Sequence, residues 1–188
     1  MVAIQSSYAT HGAQLRTQEY TYILYDTVHL FNNIYFNLLN KRKLMCPGID
    51  CDSPPLEVKA SDLEKVHALE QGAEVKMAYR LTDRVLHPNS VERVNVQLAA
   101  SATHETTVAA LRLYGQQAQH QGFNQTAEFL QMIRTWFNII NVKSPWAHVK
   151  RNDSTLKPIS SDDQQGIACI EKFGKMMSTW LSQPERWR

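Results

Sequence analysis

Residues 80–100, RLTDRVLHPNSVERVNVQLAA, decide how the rest of the chain is read, because a turn there feeds a long helix carrying more polar groups than packing requires. Pro88, Asn89 and Ser90 break the chain. Ser90 is placed to cap a helix opening with Val91 and Glu92, and Val91, Val94, Leu98 and Ala102 recur behind it at helical spacing. Arg80, Arg84 and Arg93 surround the turn with positive charge, and a helix N-terminus beside cations suits an anion such as a phosphate. A capped surface helix with solvated arginines accounts for the same residues, and no Gly-rich phosphate loop favours the anion site over it.

Downstream of this stretch the pattern stays helical. The helix from Val91 extends, with a break near His104, to Tyr114, and Gly115–Gly122 is a polar connector. Asn124 is placed to cap the next helix, in which Phe129, Leu130, Ile133, Phe137 and Ile140 line one face. Residues 146–160 read as an irregular loop. Ser161–Gln164 then opens a last helix that buries Ile167, Ile170, Phe173, Met177 and Trp180 or Leu181.

Upstream, Ser61 and Glu64 have capping-box spacing for a short helix that Gly72 closes. Cys46–Pro55, CPGIDCDSPP, holds three prolines and a glycine and marks a boundary, dividing the chain into residues 1–45 and 46–188. From Val28 to Lys43 the apolar residues Leu30, Phe31, Ile34, Leu38 and Leu39 form a helical stripe, with Lys41, Arg42 and Lys43 at its end, where cations suit the helix dipole. Tyr20–Tyr25, YTYILY, is the one convincing strand, and a single strand needs ladder partners from elsewhere. Residues 1–18 show no apolar period and read as a ragged lead-in.

Composition narrows the class. With 43% hydrophobic residues among 188, a packed core is expected and wholesale disorder is not. Twenty Lys and Arg against 18 Asp and Glu leave a net charge of +2, so overall charge argues neither for nor against nucleic acid. No apolar run approaches the ~20 residues of a membrane span, and the opening residues lack a signal-peptide pattern, which leads to an intracellular expectation. Cys46, Cys51 and Cys169 read as free thiols, and the seven scattered histidines make no zinc motif.

Three stretches, in this order, resemble the P-element transposase family, which includes transposases with an amino-terminal THAP zinc domain. They are Asp26-Thr-Val-His29-Leu30 with its Asn-rich helix; Leu81-Thr82, Pro88 and Val94-Asn95-Val96-Gln97-Leu98-Ala99; and Thr126-Ala127-Glu128-Phe129-Leu130 leading to Trp136-Phe137-Asn138-Ile139-Ile140-Asn141. The resemblance implies a mainly α fold: a helical GTP-binding insertion domain (46–188) preceded by a strand-helix remnant (1–45) of an RNase H-like α/β catalytic domain. Upstream sequence would then supply the missing partners of the Tyr20–Tyr25 strand.

Transposases of this kind cleave DNA with two magnesium ions held by several carboxylates. By resemblance Asp26 is one catalytic Mg2+ ligand, and the others lie in parts of such a protein that this chain does not include. A single carboxylate is a poor magnesium cage, so the chain is not expected to act as an enzyme alone. Capping of the following helix explains Asp26 equally well. Asp50, Asp52, Asp62 and Asp163 have no spacing that would make them converge on a metal.

The resemblance also places Arg80, Asn95, Val96, Asn138 and Asn141 at the GTP site. Arg80 stands where a lysine is usual and keeps the charge. Asn138 stands where the family has an aspartate; a carboxylate accepts both guanine N1–H and N2–H, whereas an amide offers one acceptor and one donor group. On the sequence alone, Asn138→Asp is therefore predicted to tighten GTP about tenfold or more. Asn32 and Tyr35, where basic residues are usual, weaken any DNA phosphate contact.

The implied partners are transposon-end DNA in a full-length transposase and a guanine nucleotide, in the nucleus; a homo-oligomer stays open, and GTP hydrolysis is not predicted. The alternative is a transposase-derived, non-catalytic interaction module without nucleotide, recognisable by a contiguous exposed patch of Trp136, Trp146, Trp180 or Trp187.

Overall fold

A computed structural model describes residues 2–4, 21–23, 26–48, 53–117 and 121–182. Helix α1 (Thr27–Lys41) follows a short antiparallel pair, β1 (Val2–Ile4) with β2 (Thr21–Ile23). The strand is therefore not alone: the lead-in supplies its partner, in register Val2↔Ile23 to Ile4↔Thr21. Most of the lead-in lies outside the described residues.

Asp26 starts α1 by accepting from the amides of Val28 and His29, a direct N-cap. Arg42, in the left-handed region at φ 65°, ends it. The chain then enters β3 (Lys43–Cys46), which pairs antiparallel with β4 (Leu56–Lys59). The division assigned at residues 45 and 46 falls inside this hairpin, and one buried core takes side chains from both sides of it.

Four-residue strands carry too little pattern to stand out beside a helix end, yet the period of two is there. Leu44, Cys46, Leu56 and Val58 face inward, while Lys43 and Lys59 pair with Glu57 at 3.1 and 2.6 Å. The basic cluster at the end of α1 is thereby split, since Arg42 pairs with Glu64 at 2.6 Å. Glu64 is consequently not part of a capping box: α2 (Ala60–Leu69) starts at Lys59 without a side-chain cap. Gly72, at φ +86°, makes the turn after α2, a conformation that a side chain would strain.

The central element is α6 (Gln121–Ile140), which begins before Asn124, so that residue sits within the helix rather than capping it. Its polar side chains serve the edge of β4. Gln125 Oε1 accepts from Glu57 N at 3.0 Å, and Thr126 Oγ1 accepts from Lys59 N at 3.2 Å while donating to buried Asp62 at 2.6 Å. Helix side chains thus satisfy groups that another strand would otherwise pair. Around α6 pack α1, α5 (Glu105–Gln117) and α8 (Gln164–Ser182). Phe31 stacks on Phe137 at 3.9 Å and Trp136 on Phe173 at 4.2 Å. Burying side chains such as Phe31, Leu38 and Phe129 stabilises the fold by roughly 1.5–3 kcal/mol each.

Helix α8 follows Asp163, whose Oδ1 accepts from Gly166 N at 3.0 Å, and buries Phe173 with Met176 rather than Ile167 or Leu181, both exposed. Residues 146–160 are more ordered than a loop. They contain α7 (Ala147–Arg151) and a 3-10 turn, Ser154–Leu156.

The opening stretch departs most from its pattern. Val91 and Val94 are 78% and 83% exposed, and the chain makes a 3-10 turn (Glu92–Val94) followed by α4 (Val96–Ala102). Asn89, not Ser90, organises the turn by accepting from Val91 N and Glu92 N; Asn95 caps α4. The break at His104 is present, between α4 and α5. Arg84 is ion-paired with Glu92, whereas Arg93 gives one guanidinium donor to the neutral amide oxygen of Asn40 at 2.9 Å and keeps its charge. Asn32 and Tyr35 face inward to hold this segment, Asn32 donating to Arg93 O at 2.8 Å and Tyr35 to Val85 O at 2.5 Å. Burial pushes the Tyr35 phenol upward, so the hydroxyl stays a donor. Neutral residues at these two positions are explained by packing.

Candidate functional site

Arg80, Asn138 and Asn141 come together. They line a cleft of about 670 Å³ between the loop after α2, the α4–α5 junction, the C-terminal half of α6 and the α7 segment. Phe31 and Phe137 form an apolar floor with Leu156, and Tyr79 and Gln97 stand at the walls. Four basic side chains, Arg80, Arg134, Lys143 and Arg151, share it with two acidic ones, Glu105 and Asp153. The size suits a nucleotide, and the excess of cations suits an anionic one.

Asn138 is tightly positioned. Its Nδ2 donates to Thr155 Oγ1 at 2.8 Å and to Asp153 Oδ2 at 3.4 Å. Asp153 Oδ1 in turn accepts from Thr155 N at 3.0 Å and Thr155 Oγ1 at 2.5 Å. Arg134 lies between Asp153, at 3.3 Å, and Glu105, at 3.7 Å. Burial works to raise the Asp153 pKa, but the hydrogen bonds from Thr155 and the Arg134 guanidinium outweigh it and hold the carboxyl below its ordinary value. At neutral pH it is an anion and an acceptor only.

These neighbours work against the simple expectation for Asn138→Asp. A second carboxylate there would face Asp153 rather than an empty wall.

At the other end, Arg80 is exposed, its guanidinium 5.6 Å from the Tyr79 ring centre and its Nε donating to Tyr79 Oη at 3.2 Å. His104 stacks edge-on to Tyr79 at 5.9 Å. Burial, then the charges of Arg80 and Arg134, lower the His104 pKa. The imidazole is therefore neutral at pH 7, and its Nδ1 lies 2.8 Å from Thr106 Oγ1.

Asn95 and Val96 are not among the cleft-lining residues. Asn95 is occupied with the amide of Gln97, and Val96 packs on the core; Gln97 is the residue by which α4 reaches the cleft. Asp26 is also not among the lining residues; it is exposed, with one oxygen on the α1 amides and the other 2.7 Å from His29 Nδ1. Those bonds, led by His29, hold its pKa down. Among the described residues no group of three or more His, Cys, Asp or Glu converges on a metal-sized site, and Asp50 and Asp52 lie outside them. Among the described residues Asp26 stands without further carboxylates and offers magnesium no cage.

Among the described residues the tryptophans do not form a common exposed patch. Trp136 is buried, Trp180 packs edge-on to Phe129, Trp146 is 65% exposed on its own, and Trp187 lies outside the described residues.

Sequence reasoning missed Arg134, His104 and the Asp153–Thr155 pair. Only an Asp-x-Thr in a polar stretch signalled the last.

No curated protein matches the chain. A chain of the Drosophila P element transposase strand transfer complex shares its fold, with a TM-score of 0.69 at 17% identity. That likeness covers 82% of the present chain but only 33% of the transposase chain, so the present chain spans about a third of its length. The TNP-like, GTP-binding insertion domain matches residues 38–153, well over half of the sequence and including every cleft-lining residue named above except Phe31 and Leu156. By that match the chain belongs to the family of transposase-like GTP-binding insertion domains.

Proposed function

We propose that the cleft binds a guanine nucleotide and that the chain is the nucleotide-binding insertion region of a P-element-like DNA transposase. One observation carries this: Arg80, from the loop after α2, lines a single cleft with Asn138 and Asn141 from the far end of α6. Arg80, paired with no carboxylate among the described residues, offers a fork of donors to phosphate oxygens, and Phe137 with Leu156 offers an apolar surface to a base. Asn138 and Asn141 supply directional polar groups beside that surface. GTP fits this donor set.

In a longer protein the insertion would help hold transposon-end DNA in the nucleus while a complete catalytic domain, with its own magnesium ligands, performs the transfer.

Calorimetric titration of the purified chain with GTP and then ATP, in magnesium buffer, tests this. Saturable GTP binding with weaker ATP is the expected result. A cooperatively folded chain that takes up neither nucleotide refutes it.

A further inference from the structure

We infer that guanine is read by two residues acting as one: the carbonyl Oδ1 of Asn138 and the carboxylate Oδ2 of Asp153, with Asp153 the residue that sets selectivity. The inference rests on the nucleotide reading of the cleft.

The amide at position 138 has its orientation fixed from outside. Both Nδ2 hydrogens have acceptors, Thr155 Oγ1 at 2.8 Å and Asp153 Oδ2 at 3.4 Å. What remains for a ligand is the carbonyl oxygen, an acceptor. Asp153 Oδ1 is filled by Thr155 N and Thr155 Oγ1, at 3.0 and 2.5 Å. Among the described residues the partners of its Oδ2 are Arg134 at 3.3 Å and Asn138 at 3.4 Å, both long. A base N–H at an ordinary ~2.9 Å would be the closest partner that oxygen has.

Both residues line the cleft, and each keeps an acceptor oxygen, Asn138 Oδ1 and Asp153 Oδ2, on a frame tied together through Thr155 and Arg134. Guanine presents two donors on one edge, N1–H and N2–H. Adenine presents an acceptor at N1 and a donor at N6, which would set its N1 lone pair against Asn138 Oδ1. A carboxylate at position 138 would meet guanine with both of its oxygens. Here one oxygen comes from Asn138 and the charge comes from Asp153, 15 residues later and brought in by the α7 segment. Each such charge-assisted bond discriminates by about ten- to a hundredfold.

The test is a competition series of GTP, inosine triphosphate, xanthosine triphosphate and ATP against the full chain and its Asp153→Asn variant. The wild type should prefer GTP over inosine triphosphate, which lacks the 2-amino group, by at least about tenfold. Asp153→Asn should erase that preference and bind xanthosine triphosphate better than the wild type does, because an amide can donate to the 2-carbonyl. Such a gain cannot come from misfolding. A wild type that binds GTP and inosine triphosphate equally overturns the inference. So does an Asp153→Asn variant that keeps the GTP preference. If the variant does not fold, the wild-type contrast between the two nucleotides decides alone. Selective GTP binding with an unaltered Asp153→Asn variant would leave the nucleotide site standing and sink only the role of Asp153, whereas a wild type that binds no nucleotide sinks both.

Discussion

Replacing Asn138 by aspartate would set two carboxylates against each other in a half-buried wall. The amide nitrogen that becomes an oxygen lies 3.4 Å from Asp153 Oδ2. Two unit charges at that separation repel by about 1 kcal/mol at the dielectric of water and about 5 kcal/mol at an effective dielectric of 20. Arg134, 3.3 Å from the same oxygen, offsets part of this, and the lost donation to Thr155 Oγ1 at 2.8 Å adds about 1 kcal/mol to the cost. A net loss of about 1–3 kcal/mol is expected, lowering the melting temperature by roughly 2–10 °C in a chain of this size. GTP affinity should fall about tenfold at pH 7, since the repelled pair must relax or take up a proton. Adding Asp153→Asn to Asn138→Asp restores a single negative charge and should recover most of both losses, so melting and GTP titration of all four proteins form a closed cycle. A single Asn138→Asp variant that melts as the wild type does and binds GTP more tightly would refute the reasoning.

Arg80→Ala should weaken GTP about tenfold by titration yet shift stability by less than about 0.5 kcal/mol, because the side chain is exposed and its hydrogen bond among the described residues is to the neighbouring Tyr79. Thr126→Val should cost about 1–3 kcal/mol in a urea melt, since it takes a donor from buried Asp62 and the acceptor from Lys59 N. His104 has a lowered pKa in the folded chain, so the unfolded chain binds the proton more readily, and stability falls as pH drops through the unfolded value of about 6.5. Urea midpoints at pH 7.5 and 5.5 should therefore differ less in His104→Gln than in the wild type, and an equal difference would exclude that role.

The long helices were legible because their stripes are long: Phe31 to Leu38 in α1 and Phe129 to Phe137 in α6 repeat over enough turns to outweigh local accidents. The β3–β4 hairpin was not, since four residues of alternation beside a helix end cannot be told from the helix's own tail. Val91 and Val94 misled for the opposite reason. They continue the spacing of Leu98 backwards across a break where Asn95 restarts the helix, and periodicity does not register a cap. At the site, family resemblance brought forward Arg80, Asn138 and Asn141, which the fold unites. Asp153 and Arg134 matter only through where α7 and α6 place them, and a polar loop carries no period from which that path could be read.

The central claim is that a guanine nucleotide occupies this cleft. Hydrogen exchange followed by peptide mass spectrometry, with and without saturating GTP, tests it most directly. Exchange should slow in the peptides holding Tyr79–Arg80, Gln97–Glu105, Arg134–Ser144 and Ala147–Leu156, with α2 and the outer face of α8 unchanged. Protection confined to Asp26 and the start of α1, or none anywhere at saturating nucleotide, would contradict it.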